Sequence, residues 1–243
     1  MARKSETKLT KYRIMRSSAS IAKGLPLTRS FSRRSFSAMV RSYPRVFAKP
    51  ISGSGGAGII MISRAGANRF HVHSGAVRRT IRGSDNTYRY VKRKLSTHYL
   101  LQQGIPLARV GNRPFDVRVM VQRKTGSSWI VTGMLAKVAG RGYIITNIRR
   151  SGGYVLPLST AIMRSNIRPL APSAIISRLS TVALLAAERL STYYRSQRVY
   201  GFDMGIDRNG RVWIIEANLR PDISLFLKLP DKSMYQTILS YRS

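Results

Sequence analysis

Cysteine is missing from this sequence of 243 residues. Its absence excludes disulfide bonds and thiolate zinc sites, and it fits a reducing compartment. No run of about 18 apolar residues occurs, so no segment is predicted to span a membrane. The N-terminus has no central apolar stretch of the secretory type. The Arg- and Ser-rich composition of the first 45 residues also matches an organellar transit peptide, which stays open as an alternative.

Acidic residues are scarce, with nine Asp and Glu against 43 Lys and Arg and a net charge of +34. Residues 1–50 carry 13 cations and one acid, residues 51–150 carry 18 and two, and residues 151–243 carry 12 and six. A small anion would use only a few of these cations. The surplus therefore indicates a polyanionic partner, such as an acidic peptide, another anionic polymer or nucleic acid. A solvated surface that serves solubility is the alternative.

Three of the nine acids fall in residues 201–218, which are predicted to form two strands around Asn209-Gly210. An Asn-Gly pair favours a tight type I′ turn. If these two residues form the whole loop, Asp203 lies directly opposite Glu216 on the neighbouring strand. Asp207 is assigned to the turn rather than to a metal.

Two facing carboxylates repel each other unless positive charge lies between them. Glu216 and Asn218 are two residues apart and share a face of the strand, so they join Asp203 in presenting two acids and an amide oxygen. Such a hard, all-oxygen set suits Mg²⁺. The alternative is a surface β-hairpin with an Asp-rich turn.

Asp203, followed by Glu216-x-Asn218 and Pro221, resembles the metal-binding end of the ATP-grasp fold. The family's usual form has glycine after the proline, where this chain has Asp222. The resemblance implies an α+β fold of two lobes that clasp ATP between antiparallel sheets. It also implies that Asp203, Glu216 and Asn218 bind two Mg²⁺ ions.

The resemblance divides the chain into an N-terminal basic segment and helix (1–28), a small lobe with a glycine-rich flap (29–100) and a large lobe with the metal-binding hairpin (101–243). A helix is predicted for residues 11–21, ended by the breaker residues around Pro26. Pro172 is predicted to open a second helix, with an apolar core stripe, that runs to about Gln197.

A short strand at residues 45–50 is followed by the glycine-rich stretch 51–58 and a second strand at 59–62. The glycines match the G-x-G-x-x-G spelling, but β-branched residues follow where a Rossmann fold requires a helix. The sequence has no Gly-Lys pair, so the Walker A loop is absent too. By resemblance, a glycine flap covers the triphosphate while Lys49 contacts a phosphate; the flap residues are Gly53, Ser54, Gly55 and Gly56.

Other nucleotide contacts are implied by the same resemblance. Lys11 stands at the start of the first helix, as the nucleotide lysine of related glutamate ligases does, and one more surface lysine is the alternative. Asp116 would lie near the ribose. The adenine would sit against a linker formed by Gln102, Gln103, Gly104 and Ile105.

The strand at residues 115–121 alternates, so that Asp116 and Arg118 share one face. It pairs in the prediction with a strand at 129–135, and a basic residue, an Asn-x-x-Arg segment and two glycines follow. This order resembles the glutamate-ligase branch and, more closely, the spore-coat-associated proteins of the YheC/YheD type. Lys137 stands where those families usually have Arg, and Arg149 where His is common. The resemblance implies that the acyl phosphate or substrate is held by Arg118, Lys137, Asn147 and Arg150.

The function implied is an ATP- and Mg²⁺-dependent carboxylate–amine ligase that acts through an acyl phosphate on an acidic peptide or polymer. A non-catalytic, basic ATP-grasp-like protein that binds nucleic acid or packs in a spore coat is the alternative, and a kinase that stops at the phosphorylated product is a third. The chain has no room for the separate first domain of many relatives, so a partner or a second copy would complete the acceptor site unless that site is open. A cytoplasmic or spore-associated location is expected.

Overall fold

The computed structural model describes residues 5–53, 55–75, 77–141, 152–168 and 171–242. The chain divides into two units. The larger comprises Met1–Ser5, Lys11–Leu25 and Pro106–Ser243, and the smaller comprises Glu6–Thr10 and Pro26–Ile105. Each unit has its own antiparallel sheet with helices packed on it, which confirms the predicted α+β class. Within residues 5–242, apart from the gaps given above, no helix is both long and apolar enough to cross a membrane.

The N-terminal helix is interrupted rather than continuous. Helix α1 spans Lys8–Arg16 and the short α2 spans Ala19–Ala22. The break falls at Ser17, whose hydroxyl donates to the carbonyl of Ile14 at 2.8 Å, so a local side-chain hydrogen bond competes with helical pairing.

The smaller unit contains a six-stranded sheet in the order β1-β6-β2-β3-β4-β5. The strands are β1 (Thr28–Ser30), β2 (Arg45–Pro50), β3 (Ile60–Arg64), β4 (Arg69–Ser74), β5 (Val77–Arg82) and β6 (Tyr99–Gln103). Helices α3 (Arg33–Ser42) and α4 (Ser84–Arg93) pack on one face. Strand β2 has the bounds predicted from the sequence, and β6 extends past the boundary expected at residue 100.

Alternation along the strands separates a core face from an open face. Val46 and Ala48 of β2 and Phe70 and Val72 of β4 are buried in the core of the smaller unit, against Phe36 of α3. Their neighbours in sequence therefore point to the opposite face. Ser32 is the N-cap of α3, and its hydroxyl accepts a hydrogen bond from the backbone N–H of Ser35.

The larger unit contains a sheet in the order β10-β9-β8-β11-β12, with β7 paired to β8. The strands are β7 (Arg109–Val110), β8 (Arg113–Gln122), β9 (Ile130–Val138), β10 (Tyr154–Pro157), β11 (Val199–Ile206) and β12 (Val212–Asn218). The described helices here are α5 (Leu158–Met163), α6 (Pro172–Ser191) and α7 (Ser233–Ser240), with a 3₁₀ turn at Ser224–Lys228.

Helix α6 presents the predicted apolar stripe, and Leu179, Ala183 and Leu190 are fully buried. It ends at Ser191, six residues before the predicted end at Gln197. The side chain of Gln197 instead donates to the carbonyls of Val199 and Leu219, which leads the chain into β11. The contact with Leu219 cannot be predicted from the local helix pattern, because Leu219 is 22 residues away in the sequence.

The C-terminal segment packs on the face of the sheet that carries Met120 and Leu135. Gly133 makes this packing possible, because a Cβ there would lie 2.8 Å from the ring of Phe226 and 3.0 Å from Ile238. Asp116 and Arg118 precede Met120 by four and two residues and share its face. One end of this face is therefore apolar and covered, and the other carries charged side chains.

Candidate active site

The hairpin β11–β12 brings Asp203 directly opposite Glu216, as the sequence predicts. The predicted two-residue turn is wrong, because Ile206 pairs with Val212 and residues 207–211 form the loop. The register then shifts between Asp203 and Met204, where a bulge takes up one extra residue of β12 and restores the pairing.

Asp207 explains the wider loop. Its Oδ1 accepts the backbone N–H groups of Asn209 and Arg211 at 3.0 and 3.1 Å, and its Oδ2 accepts the indole N–H of Trp213 at 3.2 Å. The assignment of Asp207 to the turn is confirmed.

Asp203 lies at the centre of a charged row that crosses four neighbouring strands. Arg118 donates from Nε to Oδ1 at 3.0 Å and from Nη2 to Oδ2 at 3.3 Å. Lys137 Nζ lies 2.6 Å from Oδ1 of Asp203 and 3.0 Å from Oδ1 of Asp116. Asn218 donates from Nδ2 to Oδ2 of Asp203 at 3.2 Å. We call Asp116, Arg118, Lys137, Asp203, Glu216 and Asn218 the charged row.

Strand register produces this arrangement. Asp203 pairs with Arg118 across β11–β8, and Asp116 pairs with Lys137 across β8–β9. Opposite charges therefore face each other at the short Cβ separations of cross-strand pairs. The sequence predicted neither contact with Asp203: it assigned Arg118 and Lys137 to an acyl phosphate, and the structure gives Asp203 two cationic partners within the chain itself.

The ion pairs in the charged row are buried. Arg118 is 8% exposed and Lys137 is 7% exposed. Burial disfavours the charged form of Asp203, but Arg118 and Lys137 outweigh it through their charges and hydrogen bonds and hold its pKa well below the ordinary value. Burial also opposes the charge on Lys137, whose pKa is nevertheless raised by Asp116 and Asp203. The pKa of Arg118 is raised in the same way by Asp203 and Asp116.

The donors at one end of the charged row fit a hard divalent cation. Asp203, Glu216 and Asn218 supply two carboxylates and an amide from two paired strands, and all three are partly accessible. Because the Nδ2 of Asn218 donates to Asp203, its Oδ1 is the atom suited to bind a cation. In the part of the chain that the structure describes, no group of three or more His, Cys, Asp or Glu could hold a metal. The predicted Mg²⁺ ligands thus have suitable chemistry, although Asp203 already accepts hydrogen bonds on both oxygens.

The segment after β12 closes on the charged row. Pro221 packs on Gly201 so closely that a Cβ at position 201 would lie 2.4 Å from the proline Cβ. Arg118 Nη1 donates to the backbone carbonyl of Asp222 at 3.2 Å. The Asp222 carboxylate accepts the N–H of Ser224 at 2.9 Å at the start of the 3₁₀ turn. Asp222, the departure from the family's usual glycine, therefore has a structural role.

In the smaller unit, Lys49 is 8% exposed and donates to Oε1 of Gln102 at 2.5 Å. Gln102 in turn donates to the hydroxyl of Thr28 at 3.3 Å. Gln102 and Gln103 belong to β6, so the expected adenine linker begins inside a strand rather than in a loop. Gln103 accepts the N–H of Leu27 at 3.1 Å. These contacts join Lys49 to Gln102, whereas Gln103, the next residue of β6, is held by Leu27.

The last two linker residues, Gly104 and Ile105, follow β6. The N–H of Gly104 donates to the carbonyl of Arg45 at 2.8 Å. A Cβ on Gly104 would lie 2.8 to 2.9 Å from atoms of Arg45, so glycine is required for this approach. Ile105 is 8% exposed. Lys11, the other nucleotide lysine of the prediction, is buried at 7% exposure.

The glycine-rich stretch connects β2 to β3, and a strand rather than a helix follows it, as the sequence indicated. Gly53, Gly55 and Gly56 have φ values of 91°, 71° and 70°, which other residues rarely adopt. Lys8, which the sequence reasoning missed, donates from Nζ to the carbonyl of Gly53 at 2.5 Å. The sequence around Lys8 has no motif that would predict this contact. Ser54, Asn147 and Arg150 lie outside the described residues.

A family model described as YheC/D like ATP-grasp matches residues 2–242. The endospore coat-associated protein YheD of Bacillus subtilis (strain 168) is 31% identical over 191 residues, which cover 76% of this chain and 41% of YheD. The endospore coat-associated protein YheC of the same organism is 25% identical over 201 residues, which cover 77% of this chain and 52% of YheC. The chain thus spans about half the length of these relatives.

Among solved structures, D-alanyl-alanine synthetase A of Vibrio cholerae has a similar fold. The TM-score is 0.53 at 10% identity, over 96% of this chain and 63% of that chain. The fold agrees with the family match, and both confirm the resemblance drawn from Asp203, Glu216 and Asn218. The chain belongs to the YheC/D-like ATP-grasp family.

Proposed function

We propose that this protein is an ATP-dependent carboxylate–amine ligase. The observation that carries the proposal is the charged row, in which oxygen donors for a cation and two buried cationic side chains converge on Asp203. Membership of an ATP-grasp family supports ATP as the phosphoryl donor. The similarity in fold to a synthetase supports the same class of chemistry by analogy.

The reaction proposed has two steps. A carboxylate oxygen of the substrate attacks the γ-phosphorus of ATP, ADP leaves, and an acyl phosphate forms. An amine then attacks the acyl carbon, inorganic phosphate leaves, and the amine loses a proton. Mg²⁺ held by Asp203, Glu216 and Asn218 would neutralise phosphate charge.

Arg118 and Lys137 have a defined task in this proposal. Both are cationic and buried, so an anion that reaches them meets donors that are already positioned. They would steady the substrate carboxylate and the acyl phosphate, together with Asn147 and Arg150. Lys137 would exchange part of its contact with Asp116 and Asp203 for the anion.

The residues proposed for the nucleotide itself are those carried over from the family. Lys49 and Lys11 would contact phosphates, and the backbone N–H groups of the glycine stretch at 53–56 would do so as well. The linker at 102–105 would contact the adenine, and Asp116 would act near the ribose through its ion pair with Lys137.

The acceptor proposed is an acidic peptide or polymer, since the net charge of +34 far exceeds what ATP would require. We propose a cytoplasmic or spore-associated location, and the names of YheD and YheC, endospore coat-associated proteins, support the second. A second copy or a partner protein would complete the acceptor site.

A non-catalytic role is the second candidate, and one observation favours it. Asp203 is already charge-balanced by Arg118 and Lys137, so the fold requires no metal for the charged row to be stable. A basic protein of this kind would bind nucleic acid or a coat component. Binding through many cations weakens steeply with salt, whereas ATP turnover responds far less. A kinase that stops at the acyl phosphate would consume no amine.

Calorimetry with Mg²⁺ and a non-hydrolysable ATP analogue tests the proposal, followed by ADP release with acidic peptides as acceptors. Glu216→Gln keeps the shape of the side chain and removes its charge. Glu188→Gln, at an exposed position of helix α6, is the matched control. We expect Glu216→Gln to abolish ADP release with the fold intact, and Glu188→Gln to match the wild type. An unaffected rate in Glu216→Gln, or no binding of the analogue, would end the ligase assignment.

A further inference from the structure

The open face of the smaller unit is most basic at strands β4 and β5. Phe70 and Val72 of β4 point into the core beneath α3 and α4, so the alternate residues point to the opposite face. Register pairs these residues across the two strands: Arg69 with Arg82, His71 with Thr80, and His73 with Arg78. All are exposed except His73, which is half-buried. We call these six residues the arginine face.

The segment that contains this face is strongly basic. Residues 51–84 contain five arginines and no Asp or Glu. The first acid that follows, Asp85, forms an ion pair with Arg33, at 3.0 Å from its Nε. Burial and the charge of Arg78 lower the pKa of His73.

Strand β5 adds a second property, since it is the last strand of its sheet over the residues that the structure describes. An edge strand presents backbone N–H and C=O groups on its outer side, and an extended peptide can pair with them. Arg78, Thr80 and Arg82 stand at every second position of β5. Side chains of an added strand on the same face would repeat at the same spacing, about 6.6 Å.

We infer that the arginine face and the outer edge of β5 form a docking surface for an extended acidic peptide with a carboxylate at every second residue. The peptide main chain would pair with β5, and its carboxylates would face Arg78 and Arg82. This inference rests on the proposed function in one respect, because the docked peptide would be the acceptor of the ligase.

Nucleic acid fits this surface less well. Single-stranded sites combine cations with aromatic side chains on which bases stack. Among the described residues of β4 and β5 on the arginine face, none is Phe, Tyr or Trp. A nucleic acid also has no main-chain amides that could pair with an edge strand. Arginines on an edge also oppose unwanted strand pairing, and the experiment separates that role from docking.

The experiment measures fluorescence anisotropy of labelled peptides without nucleotide. The probes are a (Glu-Thr)₆ peptide, its (Gln-Thr)₆ counterpart and an oligothymidylate of equal charge. Two further (Glu-Thr)₆ peptides are N-methylated on alternate residues, one on every Glu and the other on every Thr. The test variant is Arg78→Glu with Arg82→Glu. The matched control is Arg178→Glu with Arg195→Glu, which changes the net charge equally at exposed positions of the larger unit.

We expect the acidic peptide to bind, the Gln peptide not to bind, and one of the two N-methylated peptides to lose binding while the other keeps it. The test variant should weaken binding by about tenfold or more, as when interfacial charge pairs are broken, and the control by less than about threefold. Unchanged binding in the test variant, equal binding of both N-methylated peptides, or equally tight binding of the oligothymidylate would each overturn the inference. Absence of acidic-peptide binding would do the same, and the edge arginines would then serve against strand pairing.

This assay separates docking from catalysis. Glu216→Gln should bind the acidic peptide like the wild type, because position 216 is in the other unit. The Arg78 and Arg82 variant should bind the ATP analogue like the wild type. Failure of peptide docking alone would leave the nucleotide proposal intact, and failure of analogue binding alone would leave the docking surface intact.

Discussion

Lys137 and Asp203 form an ion pair of 2.6 Å between strands that are 66 residues apart in sequence. The same ammonium group lies 3.0 Å from Asp116, so one cation joins two carboxylates on neighbouring strands. A buried charge is stable only when it is paired and hydrogen-bonded. The three charges, with that of Arg118, therefore depend on one another, and removal of one should affect the rest.

The first prediction concerns the stability of the charged row. Asp203→Asn removes the charge that compensates Arg118 and Lys137, which stay buried. We expect a loss of about 3–5 kcal/mol in the free energy of unfolding, as for other broken buried ion pairs. Urea denaturation followed by circular dichroism measures it. Asp85→Asn, which breaks the exposed pair with Arg33, is the control and should cost much less. Equal losses in the two variants would show that the charged row adds no special stability.

The second prediction is a pH dependence that follows from the lowered pKa of Asp203. A carboxylate whose pKa is lower in the folded state stabilises that state above its unfolded pKa of about 3.9, and this contribution is lost as pH falls through the folded value. The free energy of unfolding should therefore decrease as the pH falls below about 4. Asp203→Asn should flatten this part of the curve. Urea titrations at a series of acidic pH values test it, and parallel curves for the two proteins would contradict it.

The third prediction concerns the approach of Pro221 to β11. Gly201→Ala places a Cβ 2.4 Å from the proline Cβ, so the segment that closes on Arg118 must shift. We expect a destabilisation of about 1–3 kcal/mol, typical of overpacking. Gly24→Ala is the control, because its Cβ would meet only backbone oxygens at 3.5 Å. Thermal unfolding compares the two, and a neutral Gly201→Ala would mean that the segment moves freely.

The fourth prediction concerns Lys49 and its partner Gln102. Lys49→Met keeps the length of the side chain and removes the charge proposed to contact a phosphate. We expect the affinity for the ATP analogue to fall by about tenfold or more, the usual loss for a charged hydrogen bond. Calorimetry measures the change. Lys94→Met, at an exposed position, is the matched control and should bind like the wild type. Equal affinities in both variants would remove Lys49 from the site.

Local signals predicted much of the fold. Strand β2 has the predicted bounds, residues 45–50, because alternation and the proline at its last position are properties of the strand itself. Helix α6 begins at the predicted Pro172 but ends at Ser191, and the side chain of Gln197 donates to Leu219 of another segment. The Asp203–Glu216 pairing was predicted from a turn that does not form, and a bulge restores it.

The sequence by itself determined the chemistry available: few acids, three of them in one hairpin, an excess of arginine, and the spacing of Asp203, Glu216 and Asn218. Only the tertiary structure decided that Arg118 and Lys137 contact Asp203, and that β5 is an edge strand beside exposed arginines. The physical reason is range. Periodicity and turn residues act over a few positions, whereas the order and register of strands far apart in sequence are set by packing of the whole sheet.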